Sequence, residues 1–477
     1  MNGDISYMND KLLLDCKKVH FVGIGGISMS GLAYTLHNKG ITITGSDFKH
    51  SPTLDELTSA GMRTHVEHRA ENLDSDTDLV VYTAAIKQDN PELQRARELE
   101  IKIVDRAALI GILMEGYQSP ICISGTHGKT TTTSMISQIL LTAGVNPTLN
   151  IGGILPSINS NYHVGGDNYF VVESCEYFDG FLNFKPHIGV VLNIETDHLD
   201  YFKNLEHIEE SFGCFVRNIS PNGALIANEE MPSFDKIAGY SRARVIGYGA
   251  PNSMFRAENI TYSQDGCASF DLIIEGKHAA RINLKLRGEH NVSNALAAIA
   301  ACWVDNISLD AIQAGLESFT GTKRRYEYKG TREGITIIDD YAHHPTEIKA
   351  TLAAARNSEH GKLVCVFQPH TYTRTKKLLT ELGEAFTDAD MVILLDIYSA
   401  REQDTGEIHA KDLESQIRSN GVETHYMPTF EAAVNFILQK CILGDLLITM
   451  GAGDVDKVAE QLLSTELSTL STGFAGK

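Results

Sequence analysis

None of the eight cysteines in this 477-residue chain are spaced as Cys-x-x-Cys. Structural zinc sites are usually built on such pairs, so the sequence offers none. Cys122 and Cys365 fall instead inside apolar strand patterns, where a reduced, buried thiol is expected. Scattered thiols fit a reducing compartment, the cytoplasm. No apolar run approaches the ~20 residues that a membrane-spanning helix needs. The N-terminus has no basic segment followed by an apolar core, so no secretory signal is expected. Positive charge is scarce, with 41 Lys and Arg against 61 Asp and Glu and a net charge of −20. Nucleic-acid binding rests on clustered Lys and Arg, so neither nucleic acid nor a membrane is an expected partner. An anionic small molecule must be met by a few local cations. Low-complexity segments and short repeats are absent, apart from a polar Ser/Thr-rich tail after Glu466 that reads as frayed.

What is present reads as α/β. The length suggests about three domains at roughly 150 residues each, and the 43% hydrophobic and 21% charged content suits a soluble globular chain. In the first segment Lys18–Ile24, Ile41–Thr44, Asp78–Tyr82 and Ile101–Val104 read as strands, with a helix over Met29–Asn38 ended by Gly40. A second start at Ile121 continues through strands near Tyr169–Ser174 and Ile188–Ile194. Arg244–Leu286 reads as an antiparallel patch of short strands, and Asn291–Val304 as an alanine-rich helix. A third start gives strands at Ile335–Ile338, Leu363–Phe367, Met391–Leu395 and Leu446–Met450. Such alternation implies parallel sheets with helices on their faces. The expected domains are residues 1–106, 107–320 and 321–477.

The most informative stretch is Cys122-Ile-Ser-Gly-Thr-His-Gly-Lys-Thr-Thr-Thr-Thr133. A strand runs into a glycine loop and then a helix. Gly125 and Gly128 let the backbone aim its N–H groups inward, as far as Thr126, His127 and Thr131. A helix N-terminus with exposed N–H groups is a phosphate site. Lys129 adds a point charge for the outer phosphates, and the Thr130 hydroxyl suits Mg²⁺. The loop is not a full Walker A, because Ile123 stands where a glycine belongs.

Other residues fall at strand ends or helix starts. The run His20-Phe-Val-Gly-Ile-Gly-Gly-Ile-Ser-Met-Ser-Gly31 misses the dinucleotide fingerprint, since Ser28 replaces its third glycine. With Gly25, Gly26 and Asp47 it reads as a nucleotide–diphosphate site without nicotinamide, or as a structural turn. Glu173 ends an apolar strand where a Mg²⁺ ligand sits in such sheets, or it is a solvated strand-end acid. Asn193-Ile-Glu-Thr-Asp-His-Leu-Asp200 follows the strand that starts at Ile188, so Asp197 and His198 lie at the same edge. His198 suits a second Mg²⁺ or a phosphate, and read alone it fits a structural hydrogen-bonding role better. Asn291 and Asn294 share a helix face and match a purine edge, although either fits N-capping. Asp339-Asp-Tyr-Ala-His-His-Pro-Thr-Glu347 offers a ribose-binding acid or a metal ligand. Lys323-Arg-Arg325 lies at the second boundary, as a phosphate-facing group on domain closure or a surface turn.

Together these motifs, in order and over nearly the whole chain, resemble the Mur ligases, ATP-dependent amide-forming enzymes of bacterial cell-wall synthesis. His20–Ala33, Asp339–Glu347 and Phe367-Gln-Pro-His-Thr-Tyr-Thr-Arg-Thr375 narrow the resemblance to the alanine-adding branch. The resemblance implies a Rossmann-like N-terminal domain for a UDP-sugar, a central P-loop ATPase-type domain and a Rossmann-like C-terminal domain. It implies ATP and Mg²⁺ as cofactors, and UDP-N-acetylmuramate and L-alanine as substrates of a monomer or weak homodimer. It assigns Lys129 to the β/γ-phosphates, Thr130 and Glu173 to Mg²⁺ and His198 to a second metal site. Asn291 and Asn294 are assigned to adenine, Arg325 to the phosphates and Asp340 to the ribose. Tyr341, His343, His370 and Arg374 fall at the amino-acid end. Relatives often carry an arginine after the histidine corresponding to His370. Thr371 stands there in this chain, so the alanine carboxylate leans on Arg374.

The expected chemistry activates a carboxylate as an acyl phosphate, which an amine then attacks. That is mostly positioning and charge neutralisation, and it needs no Ser or Cys nucleophile. The rivals are a ligase joining the same sugar nucleotide to a whole peptide, a P-loop kinase or ATPase without ligation, and a nicotinamide-dependent dehydrogenase.

Overall fold

A computed structural model describes residue 13 and residues 15–464, apart from 84, 200 and 401. The Ser/Thr-rich tail and Asp200, the last residue of the stretch around His198, lie outside the described residues.

Three sheets follow one another along the chain. The first holds β1 (Lys18–Val22), β2 (Thr42–Asp47), β3 (Arg63–Val66), β4 (Leu79–Tyr82) and β5 (Lys102–Asp105), in the order β3-β2-β1-β4-β5. Every pair is parallel. Its helices include α1 (Ile27–Asn38), α2 (Pro91–Glu98) and α3 (Arg106–Met114). Strand order reverses beside β1, and such a reversal opens a crevice at the carboxyl ends of the strands. The Gly23–Gly26 turn leaves β1 at that edge. Its Gly23 and Ile24 N–H groups donate to the Ser46 carbonyl at 2.8 and 2.9 Å.

The second sheet runs β15-β14-β13-β12-β11-β10-β6-β9-β7-β8. Its strands are β6 (Ser119–Ser124), β7 (Thr148–Leu155), β8 (Ser160–His163), β9 (Tyr169–Glu173), β10 (Ile188–Val191), β11 (Ala224–Asn228), β12 (Arg244–Tyr248), β13 (Phe255–Tyr262), β14 (Cys267–Ile274) and β15 (Lys277–Arg287). The main helices are α4 (Lys129–Thr142) and α5 (Glu289–Val304). β6 lies between β9 and β10, parallel to both. Ile121, Cys122, Ile123, Val171, Val190 and Val191 are fully buried, because a parallel sheet covered on both faces makes every side chain interior.

The third sheet comprises β16 (Glu327–Arg332), β17 (Ile335–Asp340), β18 (Leu363–Phe367), β19 (Met391–Leu394), β20 (Glu423–Tyr426) and β21 (Leu446–Met450), ordered β16-β17-β21-β18-β19-β20. It is parallel except for the β16–β17 hairpin. The short helix α6 (Tyr372–Lys377) follows β18.

The chain forms two compact units. One runs to Ile260 and adds Phe270–Asn283 and Val292–Thr320. The other takes Thr261–Ser269, Leu284–Asn291 and the chain from Gly321 on. Residues 106 and 107 both lie in the first unit, and Gly321 opens the last stretch of the second.

The antiparallel patch needs correction. β12 pairs in parallel with β11 over five residues and so extends the parallel sheet. Within the expected patch the antiparallel part is β14–β15, where the two-residue turn Glu275-Gly276, both at positive φ, can close only a hairpin, while β13 meets β12 in parallel at Phe255. β3, β7, β8, β11, β16 and β20 were not foreseen. They are short or polar strands, or in β7 and β8 an edge hairpin with a register shift.

A buried polar cluster ties the first sheet together. Glu92, at the start of α2, is fully buried. Its carboxylate accepts from the Ser46 hydroxyl at 2.6 Å, the Asn72 amide at 2.6 Å and the Arg69 N–H at 3.3 Å. His20 and His68 each approach it at 3.5 Å. Burial alone pushes the carboxyl up, but the close approach of His20 and His68 and the hydrogen bond from Ser46 outweigh it and hold the group well below its ordinary 4.5. A depressed carboxyl contributes stability that is complete above its unfolded value and declines as pH falls below it. Glu92→Ala is expected to cost about 3–5 kcal/mol at pH 7, because it leaves the partners buried and unpaired. Urea unfolding should show the gap from the parent narrowing by roughly 1.4 kcal/mol per pH unit below 4.5.

Candidate active site

The turn from β6 into α4 carries the phosphate loop. Gly128 caps α4 at φ +82°, no side chain caps the helix and no acid stands in its first turn. The first N–H groups and the positive end of the helix dipole are left for an anion. That positive φ strains any other residue, and a Cβ on Gly128 would also lie 2.5 Å from Asn294 Oδ1. The neighbouring strand supports the loop. Asn193, just past β10, accepts from the His127 N–H at 2.8 Å and donates from its amide to the His127 carbonyl at 3.1 Å. The Thr126 N–H donates to the Asn193 carbonyl at 3.1 Å, and the Glu195 N–H to Thr126 Oγ1 at 2.9 Å.

Glu173 ends β9, on the other side of β6, and accepts from the Thr130 hydroxyl at 2.8 Å. Its carboxylate rests on the backbone of β7, where a Cβ on Gly152 would come within 2.1 Å of Oε2. A carboxylate and a hydroxyl so juxtaposed are the hard oxygen donors that Mg²⁺ prefers, so the residues fit that ion. Lys129 folds back on its loop, donating to the Thr126 carbonyl at 3.0 Å and pairing with Glu176 at 3.1 Å. Burial works against its charge, but Glu176, Cys175 and Glu173 outweigh it and hold the ammonium above its ordinary range. His198 stacks on Tyr177, with ring centroids 4.5 Å apart, and its Nε2 lies 3.8 Å from both Glu176 and Asp197. It is thus grouped with Glu176 and Lys129.

Glu176, 2% exposed, was missed by sequence reasoning, as was Asn193 as the loop's support. The signal for Glu176 was a second acid three residues beyond Glu173. Asn193 opens the very stretch that drew attention to His198.

At the first sheet, the Gly25 N–H donates to Asp47 Oδ2 at 2.9 Å, so this acid braces the glycine turn. Gly26 precedes α1, which has neither a side-chain cap nor an acid in its first turn. Ser28 donates to Asn150 Oδ1 at 3.2 Å and accepts from Arg106 at 3.0 Å.

In the second unit, Asp340 ends β17 and accepts from the Tyr326 and Ala342 N–H groups at 2.8 and 2.7 Å. Burial pushes its carboxyl up to about 6, against the pull of Arg325 and those two N–H groups. Arg325 lies 5.1 Å from the Tyr341 ring. Arg324 is the structural member of the basic triplet, since it bonds Asp339 at 3.0 Å and the Gly453 and Gly451 carbonyls at 2.9 and 3.0 Å. Tyr341, His343 and His370 form a chain of rings with centroids 5.7 and 5.6 Å apart. Arg374 Nη1 lies 2.9 Å from His370 Nδ1. A guanidinium can only donate, so that nitrogen carries a lone pair. Thr371 caps α6 at φ +64° and ψ 146°, a strained conformation for a β-branched residue. Asn291 sits inside the first turn of α5 and donates to the Arg287 carbonyl at 2.8 Å, so it does not cap the helix. Asn294 follows one turn later.

Comparison with known proteins places the chain. Residues 18–118 match the Mur ligase family catalytic domain, 123–302 the Mur ligase middle domain and 324–453 the Mur ligase glutamate ligase domain. The chain belongs to the Mur ligase family, and it is an ATP-dependent amide-bond-forming enzyme. It is 50% identical over 449 residues to the UDP-N-acetylmuramate–L-alanine ligase of Acetivibrio thermocellus, covering 94% of this chain and 96% of that one. The ligase of the same name from Clostridium acetobutylicum is 48% identical, with 94% and 98% covered. Among solved structures, UDP-N-acetylmuramate–alanine ligase from Thermotoga maritima superposes with a TM-score of 0.78 at 28% identity, covering 94% of this chain and 98% of that one. A murein peptide ligase from Psychrobacter arcticus gives 0.71 at 25% identity, with the same coverage.

Lys129→Ala is expected to lower turnover by at least about 10²–10³, as for other preorganised electrostatic donors. Steady-state phosphate release and a melting curve test this. Near-parental turnover by the folded variant would remove Lys129 from the chemistry.

Proposed function

We propose that this enzyme joins L-alanine to the lactyl carboxylate of UDP-N-acetylmuramate with consumption of ATP, in peptidoglycan precursor synthesis in the cytoplasm, as a monomer or weak homodimer. The observation that carries the reading is the Lys129 loop with the Thr130–Glu173 pair at the next strand end, in a chain half identical to ligases of that name. A described helix long and apolar enough to cross a membrane is absent, which is compatible with that location.

A free carboxylate is a poor electrophile, because oxide is a poor leaving group. One carboxylate oxygen attacks the γ-phosphorus, the bond to ADP breaks, and an acyl phosphate forms. The amine of L-alanine attacks its carbonyl carbon and loses a proton, and the tetrahedral intermediate collapses with departure of phosphate. Lys129 neutralises charge on the migrating group, and the N–H groups of Gly125–Thr131 hold the neighbouring phosphates. Thr130 and Glu173 would hold Mg²⁺, which would offset phosphate charge when bound, and His198 beside Glu176 would serve a second position of this kind. Asn291 and Asn294 receive the adenine, Asp340 the ribose and Arg325 the phosphates. Gly25, Gly26, Ser28 and Asp47 receive the sugar nucleotide. Tyr341, His343, His370 and Arg374 receive the amino acid.

Phosphate release with ATP, Mg²⁺ and UDP-N-acetylmuramate across a panel of single amino acids and the cell-wall tripeptide tests the reading. L-Alanine should be preferred. Preference for the tripeptide would reassign the chain to the peptide-joining branch, and release without any amine would make it an ATPase. Arg374→Ala should raise KM for L-alanine about 10–100-fold, the worth of a charge-assisted hydrogen-bond pair, and leave KM for ATP within twofold. Parental alanine affinity would move the carboxylate site elsewhere, toward backbone donors near Thr371.

A further inference from the structure

We propose that Arg106 is a direct ligand of the diphosphate of the sugar nucleotide, an assignment that rests on the function proposed above. Arg106 opens α3 at the carboxyl end of β5, the same sheet edge from which the Gly23–Gly26 turn enters α1. The side chain is half-buried, and its one hydrogen bond goes to Ser28 Oγ. Among the described residues no carboxylate pairs with it. The adjacent Asp105 is already engaged, capping α3 through the Ala108 N–H at 2.8 Å. A guanidinium has five N–H donors, so most of this fork is unspent. An uncompensated arginine is out of character in a chain with twenty more acids than bases (61 − 41).

The surroundings make it more so. Ser28 lies in the first turn of α1, where the helix dipole is positive and neither a cap nor an acid offsets it. Placing a guanidinium against that end sets like charges together, an arrangement that stabilises nothing until an anion arrives. The group is nonetheless held firmly. Ser28 donates to Asn150 on β7, which is 6% exposed. Asn161 on β8 donates to the Ile27 carbonyl at 2.9 Å, and Tyr34 of α1 stacks on Tyr162 of β8 with centroids 4.8 Å apart. A rigid fork of donors beside exposed helix N–H groups matches two neighbouring phosphate oxygens, which arginine binds bidentately. Of the two anionic groups of UDP-N-acetylmuramate, the diphosphate is the one that also suits the glycine turn.

The test uses the full chain and two probes without ATP. UDP carries the diphosphate but no sugar carboxylate, and UDP-N-acetylmuramate carries both. By titration calorimetry, Arg106→Ala should bind UDP about 10–100-fold more weakly than the parent, and Arg106→Lys should recover part of the loss. The unliganded variants should melt at or above the parental temperature, since no ion pair is lost, while the upward shift caused by UDP shrinks. KM for UDP-N-acetylmuramate should rise with KM for ATP and for alanine unchanged. Parental UDP affinity in both variants overturns the assignment, and weakening confined to UDP-N-acetylmuramate overturns it in favour of the lactyl carboxylate. A parent that binds neither probe overturns the sugar-nucleotide reading itself, an outcome visible before any variant is made.

Discussion

The placement of β6 between β9 and β10 is the constraint on which the first unit depends. Adjacent strands are held about 4.8 Å apart by their hydrogen bonds. Whatever leaves the carboxyl ends of these three strands is therefore brought together without further design. One end supplies the glycine loop, one supplies Glu173 and the third supplies Asn193. The reciprocal bonds between Asn193 and His127 convert this proximity into a fixed loop shape, and Thr130 reaches Glu173 from the first turn of the following helix. The loop, Glu173 and Asn193 sit where the parallel register leaves an open edge, and the apolar strands behind them are committed to packing.

The first sheet applies the same logic with a different emphasis. Its turn is braced from below by Asp47 and from the side by Ser28, and the strands beneath are joined through the buried carboxylate of Glu92. Rigidity is thus placed under a surface that exposes backbone donors and a little positive charge. In an acidic chain, selectivity for an anion has to come from such local features.

The glycine loop, the apolar strands of the parallel sheets and the strand-end position of Glu173 were legible in the sequence because each is a local pattern: a period, a turn residue, an abrupt change from apolar to polar. The cluster of Tyr341, His343, His370 and Arg374 was legible only through resemblance, since β17 and β18 are separated in the sheet by β21, which comes last in the chain. Glu176 was not legible because its significance lies in meeting Lys129, forty-seven residues away in sequence. Arg324 and Arg325 are adjacent and chemically identical, and only the packing of Asp339 and two glycine carbonyls distinguishes them. β12 was misread because a short strand bounded by turn residues looks the same whether its neighbours run with it or against it.

The pairing of Lys129 with Glu176 has a consequence for turnover. An anion that draws the ammonium away leaves behind a buried carboxylate, and a lone buried charge is costly. His198 Nε2 already lies 3.8 Å from that carboxylate, so it has a second partner at hand. On the phosphate-site reading proposed above, nucleotide entry is then an exchange of partners at Lys129. When the spent nucleotide leaves, the displaced pair closes again and competes with its return. On that reading the chain's own carboxylate and the nucleotide compete for one ammonium.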